Sequence, residues 1–414
     1  MPAPYKTFFW LDAEEIMTVT KTIILPLLTA TTLVGLPSLA MAEAGDSPDD
    51  AAQEHTASTY DDAEAATDSQ PLIAGDGWAL SMGGYVRAGY TQIQADPNFE
   101  FYGRNDGFSL DDARLVTRVD SEHGLGAVIG LDAGSRLVRT SPDSPVEELG
   151  VRMTDAYLYY RPLPFLELNA GQFKAPFDAE DLVSAADLLF VNRSVFNRGV
   201  RDVEGFNKQG LSQDRQVGIQ ARGHYQLDAE GFGVSYAAAL ANGNGPNTSL
   251  NENDNLAIYG RLNLHWADIV TLGGGVFTND RSVGDLPDQT DRETWGWTAD
   301  LRLEYMGATI FANIAEENRE LPEIGTNPDT SAMGFQVQAA YEILDFGIQP
   351  AYRFARFEDD EFANHDSVTH QTIGLNYNAP DYPLRLMANY TLISEDGEPE
   401  IDNDRFDVLV QLEW

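Results

Sequence analysis

The chain has 414 residues, with 26 basic against 66 acidic side chains for a net charge of −40, six histidines and no cysteine. That sign disfavours a nucleic-acid partner, and the missing thiols exclude disulfides, thiolate metal sites and a lipidated N-terminal cysteine. A mean hydropathy of −0.30 still permits membrane spanning by strands, because water-facing positions dilute their average.

The N-terminus carries an export signal. Met17-Thr-Val-Thr-Lys21 is a charged start, Thr22 to Leu39 an apolar run, and Ala40-Met41-Ala42 a small-residue cleavage site. A membrane anchor is the alternative, against which stand Pro26 and Pro37. Residues 1–16 carry Asp12, Glu14 and Glu15, the wrong charge for the start of a signal, and read as a start-site extension before a signal peptide at 17–42. Without residues 1–42 the chain keeps 24 basic and 63 acidic residues. Residues 43–77 hold ten acids and no base, with many Ala, Ser and Thr, and read as an acidic disordered linker.

From Trp78 the residues alternate between apolar and polar. The period predicts strands at 78–95, 108–120, 125–134, 150–161, 165–173, 213–226, 232–242 and 254–266, then at 268–279, 293–305, 308–318, 331–343, 346–358, 367–378, 383–395 and 404–414. Most are long enough for a tilted strand to cross a bilayer. The connections alternate too, with long ones at 96–107, 135–149, 174–212, 243–253, 280–292, 319–330, 359–366 and 396–403, and short ones between them. That sorting places every long loop at one end, as in outer-membrane barrels, and a soluble sandwich gives no reason for it. Residues 78–414 are therefore read as an all-β domain, a 16-stranded antiparallel transmembrane β-barrel.

Facing follows from the period of two. In the eighth strand Leu262, Leu264 and Trp266 point to lipid, and Tyr259, Arg261, Asn263 and His265 to the lumen. The tenth opposes Trp297, Leu301 and Leu303 to Thr298, Asp300, Arg302 and Glu304. The last ten residues put Phe406, Val408, Val410, Leu412 and Trp414 on one face and Arg405, Asp407, Gln411 and Glu413 on the other. A bore of sixteen strands is too wide for side chains alone to fill. The third long connection, 174–212, holds Leu182, Leu188, Leu189, Phe190, Val195 and Phe196, so it is expected to fold inward and narrow the pore. A lid over the mouth is the rival arrangement.

The run Gly171-Gln-Phe-Lys-Ala-Pro-Phe177, leading to Glu180 and then Leu189-Phe-Val-Asn-Arg193, resembles the phosphate-selective porin O and P family. The strand plan extends that resemblance over about residues 78–414. The resemblance implies a trimeric outer-membrane channel, some members of which pass phosphate along a basic ladder. By motif position it carries over Gly171, Lys174, Pro176, Phe177 and, more loosely, Arg193. The expected constriction and anion path sets Lys174, Arg193, Arg198 and Arg201 against Arg114 and Arg118 across the bore, since a guanidinium matches oxyanion geometry. Inward carboxylates such as Asp112, Asp120, Asp300, Glu304 and Glu342 leave a second reading open, a weakly selective or cation-preferring pore. The expected partners are outer-membrane lipid, two further copies of the chain, and small hydrophilic solutes with phosphate or other anions among them.

Neither a cofactor nor a metal is expected. The acidic outer loops, such as Asp359, Asp360, Glu361 and Asp366, lack EF-hand spacing. An outer-membrane hydrolase is the rival from another class. Only His365 and His370 approach the outer rim, and no G-x-S-x-G stretch accompanies them, so no enzyme is expected.

Overall fold

The computed structural model describes residues 71–99, 106–141, 144–201, 204–228, 231–283, 290–320, 330–343, 346–360, 367–396 and 400–414. The start-site extension, the signal peptide and most of the acidic linker lie outside the described residues. Sixteen strands form one antiparallel sheet. They are β1 (Trp78–Ile93), β2 (Gly107–Ser121), β3 (Leu125–Ser141), β4 (Ser144–Leu163), β5 (Leu166–Lys174), β6 (Arg215–Gln226), β7 (Phe232–Ala241) and β8 (Ala257–Trp266). There follow β9 (Val270–Val283), β10 (Thr290–Tyr305), β11 (Ala308–Glu320), β12 (Thr330–Tyr341), β13 (Ile348–Glu358), β14 (Ser367–Asn378), β15 (Leu384–Asp396) and β16 (Arg405–Glu413). Each strand pairs with the next, and β16 returns to β1 from Arg405↔Ile93 to Glu413↔Tyr85. The sheet closes on itself, so every strand finds backbone partners on both sides and no edge faces lipid.

The exterior is apolar. On β8, Leu262, Leu264 and Trp266 are 50%, 49% and 50% exposed, while the alternate Tyr259, Arg261 and Asn263 are 1%, 5% and 4% exposed. The same parity holds on β16, where Phe406, Val410 and Leu412 are exposed and Arg405, Asp407 and Gln411 are buried. A soluble protein buries the opposite set; here grease faces out and polar groups face in, which only a lipid surround makes favourable. The inward and outward positions expected for the eighth, tenth and sixteenth strands match the structure.

Two features depart from the sequence reading. The segment 135–149 is not a loop. β3 and β4 continue as a paired ribbon through Ser135↔Leu149 and Val138↔Val146 to Ser141↔Ser144, because backbone ladder bonds extend a hairpin wherever its two arms stay in register. Its Ser-Pro-Asp-Ser-Pro stretch carries turn composition, and that masked the arms. Second, Ile73–Gly75, inside the expected linker, forms a short strand folded back on β1, with Ile73↔Leu80 and Gly75↔Trp78 as partners.

The short connections are tight turns. Met306 and Gly307 both have positive φ, 49° and 82°, the two-residue geometry whose twist suits a hairpin. The longest connection runs from Ala175 to Asp214 and holds a helical turn α1 (Ala179–Leu182), a 3-10 turn (Ala185–Asp187), a second helical turn α2 (Val195–Arg198) and a two-rung ribbon, Gly199–Val200 with Lys208–Gln209.

Candidate functional site

The motif that opens the long connection is a set of fixing devices. Gly171 sits at φ +138°, and a Cβ there would lie 2.2 Å from the Ala156 carbonyl oxygen on β4, so only glycine lets β5 approach so closely. Lys174 turns its Nζ back onto the carbonyls that end α1, donating to Leu182 O at 3.0 Å and Val183 O at 3.2 Å. Phe177 is buried and meets Phe277 edge-on with ring centroids 4.8 Å apart. Asp178 caps α1 by accepting from the Glu180 and Asp181 amides at 2.9 and 3.2 Å, and its other oxygen accepts from Asn313 Nδ2 on β11 at 2.8 Å. Burial, with Asp181 beside it, pushes the Asp178 carboxyl up to about 7 against that amide bond.

Beyond the motif the segment runs against inward-facing side chains of strand after strand. Arg261 on β8 donates to Phe177 O at 2.7 Å. Arg385 on β15 and Gln411 on β16 both donate to Ala186 O, at 3.0 and 3.1 Å. Asn376 on β14 donates to Leu189 O at 3.0 Å, Arg87 on β1 to Val191 O at 2.8 Å, and Arg353 on β13 to Asn192 O at 2.9 Å. Asn389 on β15 accepts from the Val191 amide at 2.7 Å. The segment has too little regular structure to satisfy its own backbone, so lumen side chains supply the partners that buried carbonyls require.

An apolar seat adds to these bonds. Val195, Phe196, Val200 and Leu211 pack against Ala315, Ala332, Ala355, Phe357 and Val368 on β11–β14, all buried. Gly334 on β12 makes room, since a Cβ there would stand 2.1 Å from the Cβ of Phe196. Burying one such phenylalanine contributes roughly 1.5–3 kcal/mol.

The six expected constriction cations divide by what they touch. Lys174 and Arg193 bond to carbonyls within the segment, Arg193 Nη2 to Val183 O at 2.7 Å and Nη1 to Glu180 O. Arg198 is partly buried and pairs with Glu204 at 2.6 Å, a carboxylate that Arg405 on β16 also holds. Burial raises the Glu204 carboxyl, but Arg198, Arg405 and Arg201 outweigh it and hold the group well below the usual range. Arg201 is exposed. Arg114 and Arg118 lie on the β2 wall, paired with Asp132 at 3.4 Å and Asp120 at 2.9 Å, over the rings of Tyr85 and Tyr159 at 5.3 and 4.8 Å. The contacts described bring Arg198 and Arg201 together around Glu204 but join neither Arg114 nor Arg118 to the segment.

The alternation of their strands turns Arg87, Arg353 and Arg385 inward but does not reveal that they hold the segment's backbone, together with Asn376, Asn389 and Gln411. Parity gives their direction; nothing local gives their partner. At the end with the short turns, the bore opens into a cavity of about 450 Å³ bordered by Asp187, Arg302, Glu342, Tyr382, Arg385 and Glu413. Among the described residues no group of His, Asp and Glu has the arrangement of a metal site.

Residues 80–267 match the family described as phosphate-selective porin O and P. The porin fold is shared with solved structures at low identity. The outer-membrane channel DcaP of Acinetobacter baumannii is 15% identical with a TM-score of 0.56, covering 83% of this chain and 99% of that one. An anion-selective porin from Comamonas acidovorans is 12% identical with a TM-score of 0.58, covering 81% and 100%. OmpT of Vibrio cholerae in its trimer form is 13% identical with a TM-score of 0.53, covering 82% and 100%. No curated protein matches the porin chain in sequence. Family and fold point to an outer-membrane channel rather than to an enzyme.

Proposed function

We propose that this porin lets small hydrophilic solutes diffuse across the outer membrane, as a trimer exported by a cleaved signal at 17–42, with 174–212 as its narrowest section. The observation that carries the reading is the closed cylinder, apolar outside and polar inside, with one long segment bonded to lumen side chains of β1, β8 and β10–β16, Thr298 of β10 bonding to Asp178 and Gln338 of β12 to Glu180. Lys174 and Arg193 shape the constriction by holding its backbone, and Gly171, Pro176 and Phe177 set where it leaves the wall. Arg198, Arg201, Arg114 and Arg118 are the cations left to meet a passing phosphate or other anion. Their carboxylate partners favour a second reading, a weakly selective pore, because a neutralised guanidinium attracts an anion less.

Proteoliposomes made with purified protein test the diffusion reading. Swelling in isosmotic neutral sugars is expected to be fast for the smallest and to fall steeply with size. Folded protein that gives no swelling with any sugar overturns it. The zero-current potential under a KCl gradient separates the two charge readings by its sign and size.

A further inference from the structure

On the lipid-facing wall, Arg356 of β13 is a cation without a partner among the described residues. On the same side of the barrel, Arg302, Arg319, Arg353, Arg385 and Arg405 each hold a carboxylate or a carbonyl of the chain. Arg356 points the other way. Its neighbours Ala355 and Phe357 are buried against the long connection, so its own side chain stands on the outer face. Register puts Arg356 beside Thr369 of β14, and Thr369 beside Ser394 of β15. Val368 and Ile393, next to these two, also pack inward, which turns both hydroxyls outward with Arg356. The three form one rung across neighbouring strands about 4.8 Å apart. Each is the third residue from the strand end where a long connection joins. Neither hydroxyl has a hydrogen-bond partner among the described residues. One rung toward the middle of the wall, Gln371 accepts from the Tyr352 hydroxyl at 3.1 Å and keeps its Nε2 as a donor.

We propose that this rung, Arg356 with Thr369 and Ser394, binds the phosphate of a phosphorylated outer-leaflet lipid, whose acyl chains lie along the wall below it. The side chains gathered there offer donors: a guanidinium, two hydroxyls and the Gln371 amide. Phosphate and acyl-ester oxygens are the acceptors that match them, phosphate with charge as well. Toward the middle of the wall the same face turns apolar, with Tyr352, Ile373, Tyr390 and Leu392 all exposed, a surface on which acyl chains bury. A cation on the lipid face costs free energy even near the interface, and an anionic headgroup offsets that cost. Glu358 lies one rung nearer the long connections and makes no ion pair with Arg356 among the contacts described, so the guanidinium keeps its charge for a ligand. That the leaflet is the outer one rests on the porin reading above, which sets the long connections outside; the rung's exposure to lipid does not.

Native mass spectrometry of the purified mature protein in detergent tests the rung, with lipid A as the probe and dephosphorylated lipid A as its control. Saturable binding of lipid A is expected, about tenfold tighter than that of the control. Arg356→Gln is expected to weaken it about fivefold, and Thr369→Ala with Ser394→Ala about threefold. Arg152→Gln, which removes an exposed base on β4, is expected to leave it unchanged. The three rung side chains bond to nothing else described, so their variants are expected to keep the heat-modifiable mobility of a folded barrel. Equal binding of the dephosphorylated lipid, undiminished binding by Arg356→Gln, an equal loss in Arg152→Gln, or displacement by inorganic phosphate at matched concentration overturns the proposal. An oligomer that dissociates on Arg356→Gln would assign the rung to a contact between copies and overturn it as well. Phosphate-dependent lipid binding by a protein that conducts no ions would retain the rung and remove the channel; conduction without such binding would do the reverse.

Discussion

The two walls of the bore use the same residue type differently. On β2–β6 the inward arginines pair with carboxylates of the wall itself: Arg114 with Asp132, Arg118 with Asp120, Arg222 with Glu167 and Arg215 with Asp155. On β13, β15 and β1, Arg353, Arg385 and Arg87 reach to carbonyls of the long connection, Arg87 while keeping a wall carboxylate, Asp112, at 2.8 Å. The difference teaches that an inward arginine is not by itself a solute site. Where the loop lies against the wall, the guanidinium takes a backbone carbonyl, in Arg87 and Arg261 alongside a wall carboxylate; on β2–β6 the carboxylate alone takes it among the contacts described.

The exterior gives the largest effect with which to frame this contrast. Leu264→Arg, on the lipid face of β8, is expected to cost about 2–4 kcal/mol in the folded barrel, measured by urea unfolding in vesicles; an inward site should tolerate charge far better. Next comes the seat of the loop. Gly334→Val would drive a side chain into Phe196, with an overpacking cost of roughly 1–3 kcal/mol. Protease cleavage within 175–214 should rise while the barrel stays folded, and an unchanged digestion pattern would break the assigned seat. The arginine comparison itself is sharpened by Arg353→Ala against Arg118→Ala. The first leaves Asn192 O without its donor and should loosen the loop by about 1–3 kcal/mol, increasing current noise. The second should leave the loop's cleavage unchanged, because Arg118 bonds only to its own wall among the contacts described.

Acid gives the smallest and most graded effect. Glu204 is held below its ordinary 4.5, so its contribution to loop docking is full above that value and is lost as pH falls toward the folded-state value. Asp178 runs the other way, raised from 3.8 to about 7, so docking weakens as pH climbs through that window. Protection of 175–214 should therefore peak at about pH 4 and fall as pH rises from there to about pH 7. Glu204→Gln should flatten the acid side and Asp178→Asn the neutral side.

Much of the barrel was legible because period two is a local signal that repeats sixteen times. Leu262, Arg261 and their neighbours announce their faces without reference to anything distant. The ribbon at 135–149 was not, since turn-rich composition and strand pairing compete there and pairing won. Within the site, the Gly171-to-Phe177 run was visible as a motif, but not that Lys174 closes α1. Arg87 and Val191 lie 104 residues apart, Arg353 and Asn192 161 apart, and no local pattern joins them. Gly334 and the alanines of β11–β13 look like weak strand positions until Phe196 is seen to need the space.

Single-channel recording in planar bilayers tests the central claim most directly. Wild-type protein should insert to give discrete, resolvable conductance steps, and Gly334→Val, by displacing the constricting segment, should change the step size. Folded protein that inserts but passes no current at any voltage, or whose step size is untouched when that segment is displaced, would contradict the account.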